Sequence, residues 1–440
     1  MSATIERISA EEPLEDENAT ADLHRPKLLP GTELMGRFEG SGLREPPYLI
    51  SRCDGQMVQL SELLYVIASC MDGRDLVAIA GSAGKRLDLR IRPEQIAYVA
   101  EHKLAPLGLV AHHDGSMPTI ENRTALLALK FRTGFVPART ARAIAGLLRP
   151  LFWSPLVFVT MVTLVLFDVW LAISHPGGFA RGLQTVISNP TLALAFFAVV
   201  ILSMAFHECG HATACRYGGA RPGRIGVGIY LVWPAFFSDV TDSYRLSKAG
   251  RLRTDLGGMY FNGLIALTTA GVYLATAYQP LLVVVVAQQI LILNQFIPWL
   301  RLDGYHIVSD LVGIPDLFTR IKPVIASLLP GRRPDPRVTE LKTWVRTAVT
   351  VWVLTTVVAL TGMFGLIVIN FPSYLTRGWQ SLIAQADAVA HGAQIGSVVD
   401  VLNGAIGAVM LVIPIAAITL SYLLLCRGIG VGLAYRHARD

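Results

Sequence analysis

The chain has 440 residues, 52% of them hydrophobic and 16% charged, with a formal net charge of +6. Soluble globular chains carry about a quarter charged residues, so this composition argues against an ordinary soluble domain and for a membrane protein; mean hydropathy is +0.49. The basic residues sit at the ends of apolar runs rather than in one patch, which excludes a nucleic-acid surface as the source of the charge. The five cysteines (Cys53, Cys70, Cys209, Cys215, Cys426) are odd in number and lack framework spacing, so no disulfide scaffold is implied.

The first residues, MSATIERISAEEPLEDENATADLH, are acidic and polar without an apolar h-region. They do not read as a signal peptide, and the N-terminus is expected in the cytosol. Residues 1–27 are poor in apolar side chains and are expected to be disordered. Residues 28–110 predict a small soluble α+β domain of winged-helix-like character. Tyr48–Ser51, the Asp54-Gly55 turn and Met57–Leu60 form a hairpin; Ser61 and Glu62 open one helix, and Pro93 and Glu94 open another that ends near Lys103. Arg86, Arg90 and Arg92 are too few to predict DNA binding there. A basic linker, 111–150, follows, with Lys130, Arg132, Arg139, Arg142 and Arg149 ahead of the first apolar run.

Six runs approach or exceed the roughly 20 apolar residues that span a bilayer: about 151–173, 191–215, 255–278, 281–300, 345–370 and 404–425. The Tyr278-Gln279-Pro280 break makes the third and fourth a tight antiparallel pair. Loops 216–254 and 301–343 each carry seven Lys or Arg residues, whereas 174–190 holds only Arg181 and 371–403 only Arg377. The positive-inside rule therefore places both termini and both basic loops in the cytosol. The expected fold is mainly α: a polytopic membrane protein of about six transmembrane helices, with a membrane domain over 151–426 (core 191–304) and a cytosolic tail, 427–440. Residues 379–390 suggest a short interfacial helix on the outer side, and Asp168 lies inside the first run.

The second run contains His207-Glu208-Cys209-Gly210-His211, an HExxH pattern. On a helix, residues i and i+4 share a face with Cβ atoms about 5–6 Å apart, so both imidazoles can reach one zinc ion. Glu208 then stands where a general base can take a proton from water. A chance match on an amphipathic helix is the bland alternative, but ionisable side chains inside a span are expensive and usually functional. A catalytic zinc site takes a third protein ligand. The downstream candidate is Asp303 in Pro298-Trp-Leu-Arg-Leu-Asp303-Gly304, at the cytosolic end of the fourth run and level with His211. Pro298 breaks that helix and Gly304 permits a tight turn. Taken alone, Asp303 reads better as a turn aspartate, and His306 competes with it. Asp239 and Asp242 are further carboxylates in the loop after the zinc helix, read as structural.

HECGH followed by LRLDG resembles the site-2 protease family of intramembrane zinc metalloproteases, above all the bacterial peptide zinc metalloprotease proteins. Trp233–Arg245 and Pro298–Tyr305, with Ser309-Asp310-Leu311 and Ile314-Pro315, are similar to that group's signature. The resemblance implies His207, His211 and Asp303 as ligands of one Zn²⁺ per chain and Glu208 as catalytic base. It also implies that Asn262, in Gly258-Met-Tyr-Phe-Asn262, polarises the scissile carbonyl; without it, that segment reads equally as a small-residue helix contact. Asn294 stands four residues before Pro298 instead of the family's three, which withholds a substrate-positioning role from it. The N-terminal module resembles the peptide-binding RiPP recognition element. Together these imply a zinc metalloendopeptidase of the bacterial inner membrane that cuts a membrane-associated or small secreted peptide at the cytosolic side. The oligomeric state is not legible. The competing functions are a non-enzymatic peptide exporter or immunity component, for which a base is superfluous, and a metal transporter, for which the fifth and sixth runs lack ligands.

Overall fold

The computed structural model describes residues 25–52, 54–112, 116, 129–175, 177–230, 233–331 and 334–437. Cys53 and the acidic segment up to residue 24, expected to be disordered, lie outside the described residues, as do residues 438–440 of the tail. The chain is mainly helical and divides into two compact units.

The first unit comprises residues up to 124 together with 340–342. Its three strands, β1 (Glu33–Arg37), β2 (Tyr48–Ser51) and β3 (Met57–Leu60), form one antiparallel sheet in that order. The expected hairpin is present, with Tyr48 opposite Leu60 and Ser51 opposite Met57. Gly55, at φ +80°, closes its turn in a conformation that side chains disfavour. β1, not foreseen from sequence, pairs with β2 across a bulge at Leu34/Gly36. The helices α1 (Glu62–Cys70), α2 (Leu76–Leu87) and α3 (Pro93–Val99) follow the sheet. Ser61 Oγ caps α1 through the Leu64 amide and Asp75 caps α2 through the Ala78 amide, each satisfying a free helix-end donor. Ile50, Leu60, Ile67, Ile79, Ala83, Ile96 and Leu104 form one buried core between sheet and helices. Full burial of each Leu or Ile contributes about 1.5–3 kcal/mol. Leu43 pairs with Leu341, and the Arg44 amide donates to the Glu340 carbonyl at 2.8 Å, so a distant piece of chain completes this unit.

The second unit holds the apolar runs. The stretch expected as a linker instead contributes a strand, β4 (Lys130–Val136), and a helix, α4 (Ala138–Leu148). β4 pairs with β5 (Ile225–Tyr230), and β5 with β6 (Trp233–Ser238), from Ile225↔Ser238 to Tyr230↔Trp233. Ala141 and Ala145 of α4 pack on Ala212 and Ile225, because small side chains let the helix approach closely.

The six apolar runs fall in α5 (Ser154–Ser174), α7 (Pro190–Tyr217), α8 (Lys248–Thr276), α9 (Pro280–Gln295), α12 (Thr343–Gln394) and α13 (Val398–His437). Other helices of this unit include α6 (Gly178–Ser188), α10 (Asp303–Val312) and α11 (Ile321–Leu328). By length and composition α5, α7 and α12 can each cross a membrane. Exposed Phe158, Leu166 and Ile173 on α5 suit a lipid-facing surface. α9, at 16 residues, falls short of a full span; it stops before Pro298, which lacks the amide donor that a further turn needs.

Two features depart from expectation. Residues 174–190 contain α6, packed by Gly182 so closely on the Gln279 carbonyl that a methyl group there would overlap it. Residues 379–390 form no separate interfacial helix: α12 runs unbroken through Pro372 for 52 residues. Its far half is held by α13 in an antiparallel hairpin, with Phe371 stacked on Tyr422 at 3.9 Å and Gly392 against Asp400. That packing offsets the backbone bond lost at the proline.

Candidate metal centre

The site is assembled where α7, α8 and α10 meet. His207 and His211 project from one face of α7, one turn apart, and are 4% and 7% exposed. Their rings stand edge to face, and their Nε2 atoms are 3.0 Å apart. Asp303, the first residue of α10, brings Oδ2 to 3.0 Å from His207 Nε2 and 3.3 Å from His211 Nε2. Three potential ligand atoms thus form a triangle of 3.0–3.3 Å sides. A Glu208 carboxylate oxygen stands within 4.8 Å of a ring nitrogen of each histidine.

Close packing of α7 on α8 creates this convergence. A methyl group at Gly210 would overlap the Gly257 backbone, one at Gly257 would overlap Gly210, and one at Gly258 would overlap the His207 ring. With no side chain at these positions the helix backbones touch, and the imidazole lies flat against α8. Asp303 reaches the histidines because Gly304 lets α10 start directly on the end of α9, 2.5 Å from the Phe296 backbone at the position a Cβ would take.

Hydrogen bonding orients one ring. His211 Nδ1 lies 2.8 Å from the Thr254 carbonyl oxygen of α8. A carbonyl only accepts, so Nδ1 carries the hydrogen and Nε2 turns its lone pair to the triangle. Sequence reasoning missed Thr254, since a main-chain oxygen leaves no mark on residue identity.

The donor set suits zinc. Tetrahedral nitrogen and oxygen ligands at about 2.0–2.2 Å from the ion lie about 3.3–3.6 Å from one another, a few tenths of an ångström wider than this triangle. Two imidazoles, one with its lone pair pointed inward, and one carboxylate match the three-ligand pattern of catalytic zinc.

The other candidates are placed as follows. Asn262 lies one helical turn beyond Gly258 on α8, is 2% exposed, and its Oδ1 is buried without a hydrogen-bond partner. His306 is exposed and stands edge-on to Tyr305. Asn294 is exposed. Asp242 accepts from the Arg245 side chain and the Arg221 amide, and Asp239 accepts from Thr241, so both organise the loop after β6. Asp168 accepts from the Gln289 side-chain amide at 3.0 Å, away from the histidines along α5. Among the described residues Cys70, Cys209 and Cys215 are free thiols.

No family model matches the chain, and no solved structure matches it. It is similar to the "Putative peptide zinc metalloprotease protein YydH" of Bacillus subtilis (strain 168), with 23% identity over 171 residues, 38% of this chain and 68% of that protein. That likeness, with the His-Glu-His cluster, supports a metalloprotease-like chain.

Proposed function

We propose that the chain is a membrane-embedded zinc metalloprotease of the site-2 type, multi-pass in a bacterial inner membrane with both termini cytosolic. The observation that carries this reading is the 3.0–3.3 Å triangle of His207, His211 and Asp303 with Glu208 beside it. His207 Nε2, His211 Nε2 and an Asp303 oxygen would hold one Zn²⁺ per chain. Bound zinc supplies Lewis acidity, lowering the pKa of water and polarising a carbonyl. Glu208 takes the proton of the attacking water and passes it to the departing amine nitrogen. The Thr254 carbonyl keeps His211 in the tautomer that leaves Nε2 free. The Asn262 amide, held on the helix that backs His207, donates to the oxygen that gains charge as the peptide carbonyl becomes tetrahedral.

The substrate class we assign is a membrane-associated or small secreted peptide, including ribosomally made and modified ones. The first unit recruits it, because the β1 and β3 edges of its sheet offer backbone groups for strand addition. The test of the enzyme reading is Glu208→Gln: zinc is retained and peptide cleavage is abolished. Cleavage that survives this change refutes the catalytic role. An exporter, an immunity protein or a transporter would keep its function without the base.

A further inference from the structure

The Ser309-Asp310-Leu311 segment of α10 takes no part in the chemistry above, yet its aspartate meets a buried arginine. Arg251 of α8 is 1% exposed, donates Nε–H to Asp310 Oδ1 at 2.9 Å, and donates Nη1–H to the Leu246 carbonyl at 3.0 Å. A charge this deep is stable only when paired and hydrogen-bonded.

Both partners are in register with the metal site. Asp303 and Asp310 are seven residues apart, two turns of α10, so they share one face of that helix. Arg251 and Thr254 are three residues apart on α8 and also share a face. Thr254 holds His211 through its carbonyl, while Arg251 holds α10 through Asp310. The same short stretch of α8 therefore grips an imidazole directly and the carboxylate's helix two turns along. α10 is held at its start by Gly304 against the Phe296 backbone and by Tyr305, whose hydroxyl donates to Asp316 and accepts from the Leu317 amide, and at its end by Lys248 Nζ on the Leu311 carbonyl. The Arg251–Asp310 pair adds a buried charged contact about 10 Å along the axis from Asp303 that resists rotation about it. A metal constellation tolerates only about 0.5 Å and 10–20° of displacement.

We propose that Arg251 and Asp310 are positioning residues: their buried ion pair sets the rotation of α10 that presents Asp303 to His207 and His211. This rests on the zinc reading above and deepens it.

The test measures zinc affinity of the full-length apo chain by competition with a chromophoric chelator, alongside helicity and thermal unfolding. Asp310→Asn and Arg251→Ala are expected to weaken zinc binding about 10- to 100-fold, the range for residues that orient metal ligands. The double variant is expected to match the weaker single variant, since each removes the same lock. Asp310→Glu, which keeps the charge, is expected to recover most of the affinity. Where a single variant fails to fold, the apolar pair Arg251→Met/Asp310→Leu removes both members of the pair together; it is expected to fold and still bind zinc at least tenfold more weakly. Variants with unaltered unfolding and zinc affinity within twofold of the parent overturn the proposal. So does zinc loss that only tracks the fraction unfolded. His207→Ala separates the two readings. If it strips zinc while the Arg251 and Asp310 variants bind normally, positioning alone fails; if it leaves zinc in place, the metal site itself is wrong.

Discussion

Gly258 and His207 are in such close contact that a methyl group on the Gly258 α-carbon would overlap the imidazole. Glycine in a helix interior is ordinarily a weakness of about 1 kcal/mol relative to alanine, so a Gly→Ala change there should stabilise. At this position the ring must move instead, and overpacking of this kind costs about 1–3 kcal/mol. Gly258→Ala is therefore expected to lower both the unfolding temperature and the zinc bound per chain. A variant that unfolds at a higher temperature and keeps its zinc would show that the ring has room.

Asp303 and Asn262 should separate by what they lose. Asp303→Ala removes a corner of the triangle, so zinc is expected to dissociate at chelator concentrations that leave the parent loaded. Asn262→Ala leaves all three corners in place and is expected to retain zinc while kcat falls about 10²- to 10³-fold, the usual effect of losing one oxyanion donor. Metal analysis with single-turnover cleavage checks both. Full zinc and activity in Asp303→Ala would move the third ligand elsewhere, with His306 next in line.

Removal of residues 1–110 is expected to raise the apparent KM for the natural peptide and to leave kcat nearly intact, because tethering raises the local substrate concentration without altering the zinc chemistry. The zinc content of the truncated chain reports whether the second unit has survived. Loss of kcat with zinc retained would mean that the first unit completes the active site; unchanged constants would make it a bystander.

Arg52 is 8% exposed and braces the hairpin turn, binding Asp54, Gln56 Oε1 and the Leu107 carbonyl. Its hydrogen bond is the main reason that the Asp54 carboxyl sits below its usual pKa, against an opposing effect of burial. A depressed folded-state pKa stabilises the turn above the ordinary carboxylate range, and that stability disappears as pH falls through the lowered value. The protection factors of the amides across 54–56 in the full chain (exchange relative to the intrinsic rate at the same pH) should therefore fall on acidification below the ordinary carboxylate range. Asp54→Asn should show low protection at neutral pH that changes little with acid. A parent turn equally protected at low and neutral pH would remove this role.

The residue types carried much of this protein. HExxH on an apolar run sets two imidazoles one turn apart on one face whatever surrounds the helix, since spacing along a helix is a property of the backbone. The hairpin at 48–60 and the helix starts at Ser61 and Pro93 were legible for the same reason: turn and cap chemistry acts over four or five residues. The six apolar runs lie in helices, but among the described residues only α5, α7 and α12 are long and apolar enough to cross a membrane, so six spans are not shown. What depended on contacts between distant segments was not legible. The residues of β4 and α4 read as a basic linker, because their partners, β5 and α7, lie some 70–100 residues downstream. The continuity of α12 through Pro372 depends on α13 alongside it.

At the site the division is sharper. Local sequence determined that His207, Glu208 and His211 share a helix; that Asp303 begins a separate helix, rather than ending the fourth apolar run, is a finding of the structure. Only the tertiary structure decided that a carboxylate 96 residues away meets both rings, that Thr254 sets the tautomer of His211, and that Arg251 reaches Asp310. Each of these is a meeting of side chain with backbone or of two helices in register. Such meetings depend on how closely α7, α8 and α10 can approach, and that closeness is set by glycines whose effect appears only when a second helix lies against them.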